Sequence, residues 1–112
     1  MKEKIEEALK EVSENIFYGV GIFKGRDIWD CIIFGRRRTR ISKQEGKIQR
    51  WFVAIVAEEE VPEDLPDKVI DELRKIGLKK AESDIEYGYV EKSGEVMVEM
   101  CTMEFYKAEK RC

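Results

Sequence analysis

Apolar positions first repeat with a helical period. Ile5, Ala8, Leu9 and Val12, followed by Ile16, stand at i, i+3, i+4, i+7 and i+11, which is one face of an α-helix expected over residues 2–14. Glu3, Glu6, Glu7, Glu11 and Glu14 fall on the remaining positions, and Glu6 stands four residues before Lys10, a pairing worth about 0.3 kcal/mol on an exposed face. The period then changes. "IFYGVGIF" (16–23) reads as a strand whose Gly19 and Gly21 share a face and leave room for close approach by a helix or another backbone. "KGRD" (24–27) reads as a turn, and "IWDCIIF" (28–34) as a second strand with Trp29, Cys31 and Ile33 on one apolar face. So short a connection predicts an antiparallel hairpin.

"WFVAIVA" (51–57) is apolar without alternation, as a central strand covered on both faces would be. "EEEVPEDLP" (58–66) is a connector, and its Pro66 suits the first turn of a helix. Leu65, Val69, Leu73 and Ile76, with Ile70 beside them, form that helix's stripe. Gly77 is placed to stop it as a left-handed residue, with Leu78 folding back onto Leu73. In "DIEYGYVE" (84–91), Ile85, Tyr87 and Tyr89 alternate with Glu86, Gly88 and Val90. "KSGE" (92–95) signals a hairpin turn, "VMVEMCTMEFY" (96–106) a long last strand, and "KAEKRC" (107–112) a frayed polar tail.

The order α-β-β-β-α-β-β predicts an α+β domain: a mixed, mainly antiparallel sheet of about five strands with two helices packed on one face. The first three strands are expected to form a meander, and the second helix to carry the chain through a right-handed crossover so that the third and fourth strands run parallel. The 112 residues suit a single domain, 1–112, with a basic hairpin loop at 36–50 and a short polar tail at 107–112.

Composition narrows the function more than the fold. Charged residues make up 40% of the chain, and no run of about 18 apolar residues could cross a membrane as a helix. The first residues, "MKEKIEEALKEV", are too charged for a secretory signal. Histidine is absent. That removes Ser-His-Asp and Cys-His nucleophile systems and histidine zinc sites, and leaves acid–base work to a strongly shifted carboxylate or lysine. Three cysteines without CxxC spacing predict reduced thiols in a cytosolic setting, with Cys31 and Cys101 as buried small hydrophobes and Cys112 exposed. "GVGIFKG" lacks both GxGxxG and P-loop spacing. No enzyme activity, cofactor or metal is expected.

Charge is unevenly placed. Residues 36–50 carry seven basic side chains (Arg36, Arg37, Arg38, Arg40, Lys43, Lys47 and Arg50) and one acidic, net +6, on a chain whose total is −3. The bland interpretation is a solvated hairpin tip. The alternatives are a protein contact, since guanidinium groups fork onto carboxylates, or a nucleic-acid grip. No aromatic interrupts the basic run before Trp51, which leaves little for bases to stack on. Glu58, Glu59, Glu60, Glu63 and Asp64 cluster in the connector without calcium-loop spacing. They are the expected complement of the basic stretch on a second copy, a head-to-tail contact that closes into a ring or grows into a filament. Tyr87 and Tyr89 read as core edge or interface, Met97, Met100 and Met103 as filler, and Lys79 and Lys80 as cations favoured at a helix end.

Placed in order, "WDCIIFGR" (29–36), the basic loop, "RWFVAIVAEEEVPEDLPDKVIDELRKIGL" (50–78) and "YGYVEKSGEVMVEMCTMEFYKA" (87–108) resemble the tail terminator, or tail completion, proteins of long-tailed bacteriophages. The resemblance is closest to small prophage proteins of Gram-positive bacteria from the head–tail joining module. It spans nearly the whole chain, rests on the order and phrasing of these parts and not on any one motif, and includes "FVAIVAEEEVPE", a strand, acidic connector and proline before a helix. It implies a homo-oligomeric ring, usually hexameric, that caps the tail tube and meets head–tail connector proteins. It also implies a place in the host bacterial cytoplasm during assembly and then in the virion, with no membrane and no catalytic residues. The alternative is a small nucleic-acid-binding or regulatory domain using residues 36–50.

Overall fold

The computed structural model describes residues 1–19, 30–42, 46–93 and 96–109. Within them the chain runs α1 (Lys2–Lys10), β1 (Ile16–Tyr18), β2 (Cys31–Ser42), β3 (Gly46–Ala57), α2 (Leu65–Lys75), β4 (Lys79–Lys80), β5 (Glu86–Ser93) and β6 (Val96–Glu109). The six strands form one mixed sheet in the order β1-β2-β3-β6-β4, with β5 also paired to β6. This is the expected α+β fold.

β3 sits between β2 and β6, antiparallel to both. Its apolar run explains the position, because both of its faces are covered. Val53 and Ile55 pack with Phe34, Trp51, Met103 and Phe105 beneath Ile5 and Leu9 of α1 and Val69 and Leu73 of α2. Both helices therefore lie on one face. Ala54 and Val56 join Cys31, Ile33 and Val98 in a second cluster on the other face, against which Phe17, Phe52 and Met100 are partly buried. Each fully buried Leu, Ile or Phe contributes about 2 kcal/mol of apolar transfer. Cys31 and Cys101 are buried, as expected.

Two expectations are corrected. β1 pairs with β2 in parallel, Ile16 opposite Ile32 and Tyr18 opposite Phe34, not as an antiparallel hairpin. A parallel pair needs a long crossover, so a four-residue turn cannot join these strands. "KGRD", Trp29 and Gly21 lie outside the described residues. Gly19 ends β1 with φ +98° and donates its N–H to the Phe34 carbonyl at 2.8 Å. The expected common direction of the third and fourth strands, β3 and β5, is found, since each is antiparallel to β6, which lies between them. β6 takes that place because it is buried on both faces, with Val98 on one and Cys101, Met103 and Phe105 on the other. The second correction is that residues 107–109 are not a frayed tail: Lys107, Ala108 and Glu109 pair with Gln49, Ile48 and Lys47.

Smaller differences follow the same logic. α1 stops at Lys10, short of residue 14, and turns out through bonds from the Val12 and Ser13 N–H groups to the Leu9 carbonyl. Lys79 and Lys80, read as helix-end cations, form a short strand against Tyr106 and Phe105. The end of α2 is as expected. Gly77 has φ +93°, its N–H reaches the Arg74 carbonyl at 3.0 Å, and the Leu78 N–H reaches the Leu73 carbonyl at 3.0 Å. That is a complete Schellman stop with its apolar contact.

The molecule is elongated, 53 × 24 × 22 Å. A strand of twelve residues is about 40 Å long, so β2 and β3 run along most of that length.

Candidate assembly surfaces

The basic stretch is a paired ribbon, not a loop. Arg36–Ser42 continue β2 and Gly46–Arg50 begin β3, with Arg38 opposite Arg50, Arg40 opposite Ile48 and Ser42 opposite Gly46. Lys43 lies outside the described residues. β6 runs alongside as far as Glu109, giving the arm a third strand.

A β-bulge between Arg36 and Arg38 decides where the charges point. Side chains of a strand alternate between faces, and an extra residue reverses the alternation beyond it. Arg36, opposite Trp51, therefore stays on the helix side, its guanidinium 5.9 Å from the buried Trp51 ring. Arg38 and Arg40 fall on the opposite face with Arg50. On that face Glu104 collects two cations: Arg37 Nε at 3.8 Å and Arg50 Nη1 at 3.4 Å. Arg50 also lies 5.9 Å from the Tyr106 ring. Arg38 and Arg40 are exposed, and among the described residues neither enters an ion pair. Arg38 and Arg50 are like charges directly across the ladder, an arrangement that costs stability unless a carboxylate or another anion meets them. Lys47, exposed, stands opposite Ile41 nearer the tip.

The acidic connector is at the other end of β3. Eleven residues separate Lys47 from Glu58 along an extended strand, about 37 Å. The structure therefore keeps the two charged regions apart within one chain. Glu59, Glu60 and Glu63 are exposed. The Glu58 N–H donates to Asp30 Oδ1 at 2.9 Å, and the Val61 N–H to Glu99 Oε1 at 2.9 Å, so the connector is pinned to the sheet at two points. Asp64 is partly neutralised in place: Lys68 Nζ is 3.1 Å away and its hydrogen bond holds the carboxyl below the ordinary value.

Beside this connector is a feature the sequence only hinted at. Tyr87 and Tyr89 of β5 stand on the helix side of the sheet, opposite Cys101 and Glu99, but the helices do not reach them, and they are 55% and 65% exposed. The Tyr89 hydroxyl donates to Glu99 Oε2 at 3.1 Å, so one carboxylate joins the tyrosine strand to the connector. That hydrogen bond raises the Tyr89 phenol above its ordinary value, with Glu60 adding to it. Tyr87 is raised first by the Cys101 sulfur beside it and further by Glu99 and Glu63, while burial pushes the Cys101 thiol up. The residues missed as site candidates are thus Glu99 and Glu104, single acidic residues inside a strand whose imperfect alternation did not fix which face they take.

Other features give little chemistry. Among the described residues no three His, Cys, Asp or Glu side chains gather as a metal site. None of the described helices is long and apolar enough to cross a membrane. The groove between α1 and α2 is lined by Glu11, Val12 and Lys68 and by two ion pairs of α2, Arg74 with Asp71 and Lys75 with Glu72. No protein-family model and no curated protein matches this chain.

Proposed function

We propose that this protein is a phage or prophage structural protein of the head–tail joining region, a ring-forming tail terminator that closes the finished tail tube. In this reading it performs no chemistry. It works by contact: copies associate head to tail, six to a ring as the resemblance implies, with one rim on the tube and the other offered to the connector. Its place is the host bacterial cytoplasm during assembly and the virion afterwards.

The observation that carries the reading is the separation of opposite charge along one rigid element. Lys47 and Arg50 lie in the first half of β3, with Arg36, Arg37, Arg38 and Arg40 beside them on β2, while Glu58, Glu59, Glu60, Glu63 and Asp64 follow the far end of β3. A strand buried between two neighbours cannot fold its ends together, so the two surfaces find each other between copies. Such a heterologous contact closes into a ring when its rotation allows. The nucleic-acid alternative is weaker because the aromatic nearest Arg36, Trp51, is buried and cannot receive a base.

The test is electron microscopy of purified phage tail tubes mixed with this protein. Rings capping one end of the tubes are expected, and lost when Arg36, Arg37, Arg38 and Arg40 are changed to alanine. Bare tube ends at saturating protein would overturn the assignment.

A further inference from the structure

We propose that the seat for the arm of a second copy is the tyrosine pair on β5, with Arg38 and Arg40 of one copy laid over Tyr87 and Tyr89 of the next and rimmed by Glu60 and Glu63. This deepens the assembly reading above and rests on it for the head-to-tail direction.

The match is one of spacing and chemistry. Arg38 and Arg40 are two residues apart beyond the bulge, in regular register with Arg50 and Ile48, so their side chains leave one face about 7 Å apart. Tyr87 and Tyr89 are likewise two apart in regular register with Cys101 and Glu99, and present their rings from one face at the same interval. Each pair lacks what the other supplies. The arginines are exposed without a carboxylate partner among the described residues. The tyrosines are more than half exposed in a surrounding of carboxylates, with Glu99 held between the Tyr89 hydroxyl and the Val61 N–H. A guanidinium binds an aromatic face and a carboxylate together better than an ammonium does, because it is planar and weakly hydrated. The chain already pairs cations with rings inside one copy: Lys2 over Tyr18 at 4.2 Å, Arg36 over Trp51 and Arg50 over Tyr106.

The edge on which the tyrosines stand is also available. β5 is paired to β6 alone, and among the described residues no strand lies along its outer side. An exposed edge strand bearing apolar rings is a place where other chains join. The occupant is a second copy and not an unrelated protein because the complementary arginine pair is on the same sequence, at the same interval, and too far away to reach within its own chain.

Two surface variants test this by complementation. Arg38→Glu with Arg40→Glu removes the arm's contact and leaves the seat. Tyr87→Ala with Tyr89→Ala removes the seat and leaves the arm. Sedimentation equilibrium of the wild type is expected to show self-association that grows with concentration, weakened at least tenfold in either variant alone. Mixed, the two variants are expected to form a one-to-one heterodimer and nothing larger, since a single good contact remains. Circular dichroism melts identical to the wild type establish that the exposed substitutions leave the fold intact. A tyrosine variant that associates like the wild type, or mixed variants that stay monomeric, would overturn the proposal. If the tyrosine variant also retains normal capping of tail tubes, the seat is wrong while the tail-terminator reading stands. Normal complementation with no capping of tubes leaves the seat and removes the terminator.

Discussion

Gly77 shows how one residue fixes an element's end. Its φ of +93° lies in the left-handed region, and a Cβ built there meets nothing within 4 Å. The whole cost of a side chain is therefore backbone strain. Gly77→Ala is expected to lower stability by about 1 kcal/mol, read as a lower urea midpoint with an unchanged slope. The sequence displayed this position fully, because a glycine after an apolar stripe and before another apolar residue is a local signal. Gly35 is the contrasting case. A Cβ there would come within 2.7 Å of the Phe52 ring, which lies over the glycine from the neighbouring strand. Only the register of β2 against β3 reveals that constraint, and register is not local.

The same division holds among elements. α2, β3 and the helix-face core were legible because burial on one side or both writes a period into the sequence. The direction of β1 was not, because three residues carry no information about which way a neighbour runs. The arm was legible as a basic hairpin but not as paired strand up to Ser42 and Gly46: "RRRTR" has no apolar face, and the bulge that sends Arg38 and Arg40 away from Arg36 leaves no mark on composition. Glu104 shows what holds this ribbon in shape. It is largely buried and accepts both Arg37 and Arg50, so it offsets the repulsion of Arg38 and Arg50 across the ladder. Glu104→Gln keeps the shape and removes the charge. It is expected to cost about 1 kcal/mol. It should also speed amide hydrogen exchange in residues 36–41 and 47–50 more than in 51–57. In 0.5 M salt, where screening shortens the range of repulsion to a few ångströms, the difference from wild type should shrink. A loss of stability unaffected by salt would assign Glu104 to packing instead.

At the scale of the whole molecule, the net charge of −3 hides a rod with opposite ends. β3 is the spacer: it is bonded on both sides over most of its length, and it holds the basic arm about 24 to 37 Å from the start of the acidic connector. Folding this chain therefore creates an electrostatic demand that folding cannot meet. In the proposed assembly the arm of one copy is met at the next copy's connector, which leaves that copy's own arm unmet, so association continues until the contacts close. Because these charges are exposed, their attraction acts through solvent and weakens as the Debye length falls from about 14 Å at 50 mM to about 4 Å at 500 mM. The dissociation constant between copies is expected to rise steeply over that range. Its slope should flatten in the Arg38→Glu, Arg40→Glu variant, which has lost the cations that steer the approach. In the Tyr87→Ala, Tyr89→Ala variant the slope should persist while the affinity falls, because the rings supply contact and the carboxylates supply the field. Sedimentation velocity at the two salt concentrations separates these effects. Association indifferent to salt would place the contact between copies on the apolar parts of the sheet and away from both charged ends.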